Sequence, residues 1–191
     1  SEWTMRYVSE GCFELTGYTS ESLLYNKDLS FKDLIVPEYR DALWNEWERV
    51  IAKKLPFKYE YKITTAKGQQ KWVLEMGQGI YNELGKVEVL EGIILDISAT
   101  KEIENILKYN NEHDTWTGLY NRTYLENLLK HDTMKRLGKK RAVVGINLGA
   151  IHLLSLTYGF NYSQTLTRKI ANALKSHCNN YYQLFNTYEY Q

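Results

Sequence analysis

The sequence predicts an α+β chain: an antiparallel sheet with helices inserted ahead of it, joined by one helix to a second, partly α/β region. Three patterns carry this. Between Phe57 and Ile97, three stretches alternate apolar and polar residues and are separated by turn formers, the mark of an antiparallel meander. From Ser98 to Glu112 the apolar period lengthens to that of a helix. Beyond His113, helical stretches alternate with short apolar runs, as α/β units do. The expected domains are residues 1–97, a linker helix over 98–112, and a second domain over 113–191.

Taken in order, Trp3–Val8 reads as a short strand. Ser9 is placed to cap a short helix carrying Cys12, Phe13 and Leu15, which Gly17 ends by taking a left-handed conformation. Thr19 or Ser20 caps a further turn with Leu23 and Leu24. Pro37 suits the first turn of a longer helix, where its missing N–H costs nothing. In that helix Leu43, Trp44, Trp47, Val50 and Ile51 recur at three- and four-residue intervals and make one apolar face. Trp44 and Trp47 either join the core or box an aromatic ligand; core packing is the simpler reading.

In Phe57–Thr64, the residues Phe57, Tyr59, Tyr61 and Ile63 share one face, and Lys58, Glu60 and Lys62 the other. In Lys71–Tyr81, Trp72, Leu74, Met76, Gln78 and Ile80 point one way. Alternation alone leaves open which of these faces turns inward. The turns are Ala66–Gln69 and Asn82–Lys86, and Val87–Ile97 completes the meander. A pocket between sheet and helices would offer Tyr59, Tyr61, Trp72, Met76 and Gln78 to a small apolar or aromatic molecule, with plain core the alternative for most of them.

In the linker, Ala99, Ile103, Ile106, Asn110 and His113 follow a heptad seam whose last members are polar. It suits a parallel homodimer, and a monomeric helix packed on a sheet satisfies the same pattern. Further on, Thr123–Arg136 reads as a helix with Tyr124, Leu125, Leu128 and Leu129 inward, and Ala142–Leu148 as a buried strand. Ala150–Tyr158 and Tyr162–His177 read as helices parted by Gly159, and Tyr182–Phe185 begins another strand. Lys135, Arg136, Lys139, Lys140 and Arg141 cluster near a helix C-terminus, where they answer the dipole or bind phosphate, the dipole being the simpler reading.

The 191 residues, 43% hydrophobic and 25% charged, can bury a real core. The net charge of +1 gives no reason to expect a nucleic-acid partner. The halves differ: residues 1–97 carry 12 basic and 16 acidic side chains, and residues 98–191 carry 12 and 7. That asymmetry favours docking on an oppositely charged neighbour, or describes two ordinary solvated surfaces. No window reaches the ~18 apolar residues of a membrane span. Cys12 and Cys178 have no metal or disulfide spacing, which fits a reducing, cytoplasmic setting. The chain starts at Ser1 without Met and reads as a piece of a longer polypeptide.

Two resemblances sharpen these readings. The stretches Gly11–Leu24, Phe31–Arg40, Tyr59–Glu75 and Leu90–Glu104, in that order, resemble a PAS domain of the PAS_3 type with its PAC segment, over about residues 1–104. The likeness implies a sensor domain whose first, central strand would precede Ser1. Asp96-Ile97-Ser98 resembles the motif that ends many such domains, so Asp96 is expected to hold strand end to helix start through Lys101. The PAS half has no histidine to bind haem and no flavin-reactive cysteine motif, so no cofactor is expected.

His113–Arg122, HDTWTGLYNR, resembles the HDxLTGLxNR opening of the GGDEF family, diguanylate cyclases that make cyclic di-GMP, with Trp116 in place of Leu. It implies the N-terminal part of a nucleotidyl cyclase-like domain, with Asp114 and Arg122 as a fold-holding ion pair. Aligning Tyr158-Gly159 with the family's Tyr-Gly puts Asn147 at the magnesium-binding Asp and Gly149 at the second Asp. Ser155-Leu156 then replaces the guanine-reading Asn-Asp pair, and Ser163-Gln164 the Gly-Asp pair. An amide is a poor ligand for a hard cation beside a triphosphate. Each lost base contact costs roughly 1–3 kcal/mol. The signature itself either lies past Gln191 or has become Tyr188–Gln191.

The implied function is regulatory: a PAS sensor coupled by a helix to a catalytically inactive GGDEF domain, without catalytic residues or metal, and acting on a downstream domain such as an EAL phosphodiesterase. The alternative is an active diguanylate cyclase.

Overall fold

The computed structural model describes residues 4–135, 142–178 and 182–187. Two compact units divide at Ile103 and Glu104.

The first unit is built on a three-stranded antiparallel sheet, ordered β1 (Phe57–Thr64), β2 (Gln70–Tyr81) and β3 (Val87–Asp96). Ahead of it run α1 (Cys12–Thr16), α2 (Ser20–Leu23), α3 (Phe31–Leu34) and α4 (Pro37–Lys53). Each short helix is punctuated locally. Gly17 closes α1 at φ 80°, the Thr19 hydroxyl caps α2, and Ser30 with Asp33 forms a capping box on α3. Pro37 opens α4. Trp3 lies outside the described residues, and the expected first strand reduces to one bridge between Met5 and Leu24. Ser9 accepts from Cys12 N through its carbonyl, and its side chain does not cap α1.

α4 lays Leu43, Trp47 and Val50 against Phe57, Tyr61, Ile63 and Val73, all buried. Each such side chain contributes about 1.5–3 kcal/mol when removed from water. Trp44 stays outside the buried cluster, its indole donating to Glu48 one turn on.

Register decides which face this is. Tyr61 pairs with Val73, Tyr59 with Glu75 and Phe57 with Gly77, and directly opposed residues share a face. The inner face of β2 is therefore Val73, Glu75 and Gly77, while Trp72, Leu74, Met76, Gln78 and Ile80 look outward. β3 is apolar on both faces, and Val89, Leu90, Ile93 and Leu95 are all more than a third exposed.

α5 (Ser98–Glu112) begins in the first unit and buries none of its residues; Ile103 and Ile106 of the expected seam are both exposed.

In the second unit β4 (Tyr120–Asn121) pairs in parallel with β5 (Phe185–Asn186), beside α6 (Arg122–Lys135), α7 (Ala150–Tyr158) and α8 (Phe160–His177). Asn121 caps α6 by accepting from Tyr124 N at 2.8 Å. The expected buried strand Ala142–Leu148 is neither strand nor buried: Val143, Val144 and Ile146 are exposed, and no ladder joins them to β4 or β5 among the described residues. A strand exists only through a paired neighbour, and apolar composition does not supply one. Of Tyr182–Phe185 only Phe185 is in a strand. Arg136, Lys139, Lys140, Arg141 and Tyr188–Gln191 lie outside the described residues.

Candidate functional site

On the inner face of the sheet, one polar group sits among the core side chains. Glu75 Oε2 accepts a 2.7 Å hydrogen bond from the Tyr61 hydroxyl, and its Oε1 accepts from the Trp47 indole N–H at 3.2 Å. Trp47 lies flat on Phe57, with ring centroids 3.9 Å apart and planes 5° from parallel. Gly77, opposite Phe57, leaves room for the indole: a Cβ there would come within 3.0 Å of the Trp47 ring. Strand, helix and glycine together thus aim two donors at one carboxyl.

Burial pushes the Glu75 carboxyl above its ordinary range, and the bonds from Tyr61 and Trp47 pull it only part of the way back. Burial, reinforced by the Glu75 charge, raises the Tyr61 phenol well above its usual value. A carboxylate has about four acceptor sites. Two are occupied here, so the group can still take a proton or a donor from a bound molecule.

A carboxyl whose folded pKa lies above its unfolded value binds its proton more tightly in the fold. The resulting stability is fully present below the unfolded value, near 4.5, and is lost as pH rises through the folded one. Glu75→Gln removes this dependence. The stability of the native chain relative to the variant is expected to grow as pH falls from 7 toward 4.5, measured by urea titration at each pH. A difference that stays constant would contradict it.

On the opposite face, the Trp72 indole receives Lys62 Nζ at 5.2 Å and Lys101 Nζ at 5.8 Å. Lys101 also pairs with Glu60 at 2.6 Å. Asp96 holds the end of β3 to the start of α5 by accepting from Ser98 N at 2.9 Å. Its cationic partner is Lys71, at 3.0 Å, in place of the expected Lys101. Lys71 stands on the neighbouring strand, whereas Lys101 is drawn to Glu60. Burial works against the Asp96 charge, but the bonds from Ser98 and Lys71 outweigh it and hold the carboxyl below its usual range.

In the second unit, Asp114 Oδ1 accepts from both the backbone N–H and the hydroxyl of Thr117. Gly118 turns with φ 62°, and Lys175 of α8 donates to the carbonyls of Thr117 and Gly118. Arg122 pairs with Glu126 one turn along α6. Asp114 and Arg122, expected as an ion pair, each make a local contact here, closer in sequence than that pair. A cleft of about 620 Å³ opens beside this turn, with Asn147, Gly149, His152 and Thr167 in its wall. Its lining residues among those described include no carboxylate. Ser155 is half-buried, Leu156 is 73% exposed and Gln164 is buried; none of the three lines the cleft.

The family model described as the PAS fold matches residues 5–94. Residues 5–94 form a PAS domain. The chain is 30% identical over 110 residues to a methyl sulfide methyltransferase-associated sensor of Methanosarcina acetivorans, covering 57% of this chain and 11% of that protein. It is 25% identical over 181 residues to an uncharacterized protein of Sinorhizobium fredii, covering 89% of this chain and 21% of that one. It therefore spans only a small part of the length of either relative. Among solved structures, the N-terminal domain of a Marinobacter aquaeolei diguanylate cyclase with a PAS/PAC sensor is 19% identical, at a TM-score of 0.46, over 51% of this chain and 88% of that one.

Within the PAS domain, the structure splits the residues nominated from sequence. Tyr59 and Tyr61 share the inner face with Glu75. Trp72, Met76 and Gln78 lie on the other face, where Gln78 donates to Glu91. Glu75 and Trp47 complete the inner group, and Glu75 was not nominated. The register that pairs Thr64 with Gln70 puts Glu75 on the face of Tyr61, and residue types alone do not carry that pairing.

Proposed function

We propose that the chain is the signal-sensing part of a cyclic di-GMP signalling protein, in which the PAS domain acts through α5 on a catalytically inactive GGDEF-like second unit. The observation that carries the sensing role is the Glu75 carboxyl, desolvated on the inner face and gripped by Tyr61 and Trp47. A desolvated carboxyl with a raised pKa takes up its proton at higher pH than an exposed one and gains more from a ligand's donor, and such groups cluster at functional sites. The ligand is a small molecule presenting an N–H or O–H to that carboxyl.

Two features support the inactive second unit. The opening motif is built as a turn, with Asp114 capping Thr117. The adjoining cleft has in its wall Asn147 and Gly149, the positions that the resemblance aligns with the GGDEF carboxylates, and its described lining holds no carboxylate, lysine or arginine. Phosphoryl transfer depends on charge neutralisation by metal-bound carboxylates, which such a lining does not offer. The exposed Ile103 and Ile106 supply a seam for a homodimer through α5, and an EAL-type domain is the downstream partner in this reading.

The test is to incubate the longest available form of the protein with GTP and Mg²⁺ and assay for cyclic di-GMP. No product above background is expected. Robust product that disappears in Asn147→Ala would establish the cyclase alternative instead. Native mass spectrometry of gently purified protein, with Glu75→Gln beside it, tests the sensing role. A co-purified small molecule retained by the native chain and lost from the variant is the expected result.

A further inference from the structure

We infer that Lys101 is a positioning residue that fastens α5 to the PAS sheet, by a clamp made with the Glu60 carboxylate and the Trp72 indole. This rests on the reading of Glu75 as the sensing group, and it assigns that group a way out to the helix.

The argument is one of alternation. Glu60 and Tyr61 are neighbours in β1, so their side chains leave opposite faces of one rigid strand. Tyr61 bonds Glu75 of β2 on the inner face, at 2.7 Å, while Glu60 holds Lys101 of α5 on the other, at 2.6 Å. Trp72, three residues before Glu75 in β2, takes the same lysine against its ring at 5.8 Å. Glu60 pairs with Leu74 and Tyr61 with Val73, so a slide of β1 past β2 that loosens Tyr61 from Glu75 carries Glu60 toward Trp72 and changes the spacing of the two groups that hold Lys101. Lys101, held by both, has to shift with Glu60 or release the indole. Both contacts converge on one lysine, which stands where the helix makes its first turn: Lys101 N donates to Ile97 O at 2.9 Å.

The clamp is strong enough to matter and weak enough to open. Glu60 and Lys101 are partly exposed, 45% and 22%, so both the ion pair and the cation–π contact are modest. The covalently adjacent anchors, Ser98 on the Trp72 backbone and Asp96 on Lys71, stay in place when it opens. The helix then pivots about Ser98 and remains attached.

Amide hydrogen exchange on the full chain tests this. Lys101→Met and Glu60→Gln should each speed exchange at residues 101–103 by about fivefold to tenfold. The double variant should add nothing further, and amides of β1 and β2 should keep their native rates. The exchanged pair, Glu60→Lys with Lys101→Glu, should restore the part of the protection that the ion pair supplies, though not the contact with the indole; general damage to the fold would allow no such recovery. Unchanged rates in both single variants, or full additivity in the double, would overturn the clamp. Glu75→Gln separates the two readings: if it leaves residues 101–103 untouched while Lys101→Met frees them, the clamp stands and the sensing role of Glu75 falls.

Discussion

Gly92→Ala is expected to destabilise the PAS domain by about 2–4 kcal/mol although the residue lies on an exposed strand. Gly92 sits opposite Gly77 in the β2–β3 ladder. A Cβ built on it would lie 2.9 Å from Gly77 Cα and closer still to the Met76 carbonyl oxygen. Both are backbone atoms of a paired strand, so neither can swing aside as a side-chain end would. Accommodation means prising β3 from β2 at its middle, next to the Glu75–Ile94 pair. The melting temperature should fall by roughly 10 °C or more, read by thermal circular dichroism. Gly68→Ala is the control. No atom lies within 4 Å of its would-be Cβ, but its φ of 75° strains any L-residue, at about 1 kcal/mol. A Gly92 variant no worse than this control would show that the two strands are less rigidly paired than the ladder implies.

The contrast between those glycines shows what a sequence does and does not make legible. Gly17 and Gly68 could be read directly, because each ends or turns an element and the local chemistry is complete within a few residues. The meander, its turns, a cap at Thr19 or Ser20 and the Pro37 start of α4 were legible for the same reason. Gly77 and Gly92 matter only through the residues opposite them, and that information lies in strand register. Glu75 belongs to the same class. In the sequence it is one acid among many in a polar–apolar alternation, and only its pairing with Tyr59, beneath Trp47, makes it the desolvated group of the domain.

The errors have the same origin. Trp72, Met76 and Gln78 were grouped with Tyr59 and Tyr61, but the register puts them on the face of the sheet opposite Glu75. Lys101 was assigned to Asp96 by nearness in sequence, and Lys71, a neighbour across the sheet, outcompeted it. Ala142–Leu148 was apolar enough for a strand, yet apolarity states what a segment would bury and leaves its partner unspecified. Where the interaction was local the sequence sufficed; where it crossed between strands it did not.

Trp47→Ala should be the most damaging single change in the first unit. The indole is 6% exposed, stacks on Phe57, and donates to Glu75. Its removal leaves a cavity beneath α4, costing about 3–5 kcal/mol. It also strips the desolvated carboxyl of one of its two donors, so the midpoint should fall by roughly 15 °C or more. Trp47→Phe separates the two effects, because a phenyl ring keeps the stack and lacks the N–H. The Trp47 bond lowers the Glu75 pKa against the effect of burial, so without it the carboxyl rises further. The penalty for Trp47→Phe should therefore be larger at pH 7 than near the unfolded value of about 4.5, where more of the folded Glu75 carries its proton in either chain. Urea denaturation at the two pH values measures this directly. An equal penalty at both would mean that the indole acts as packing alone, and that the carboxyl beneath it is held by Tyr61 without help.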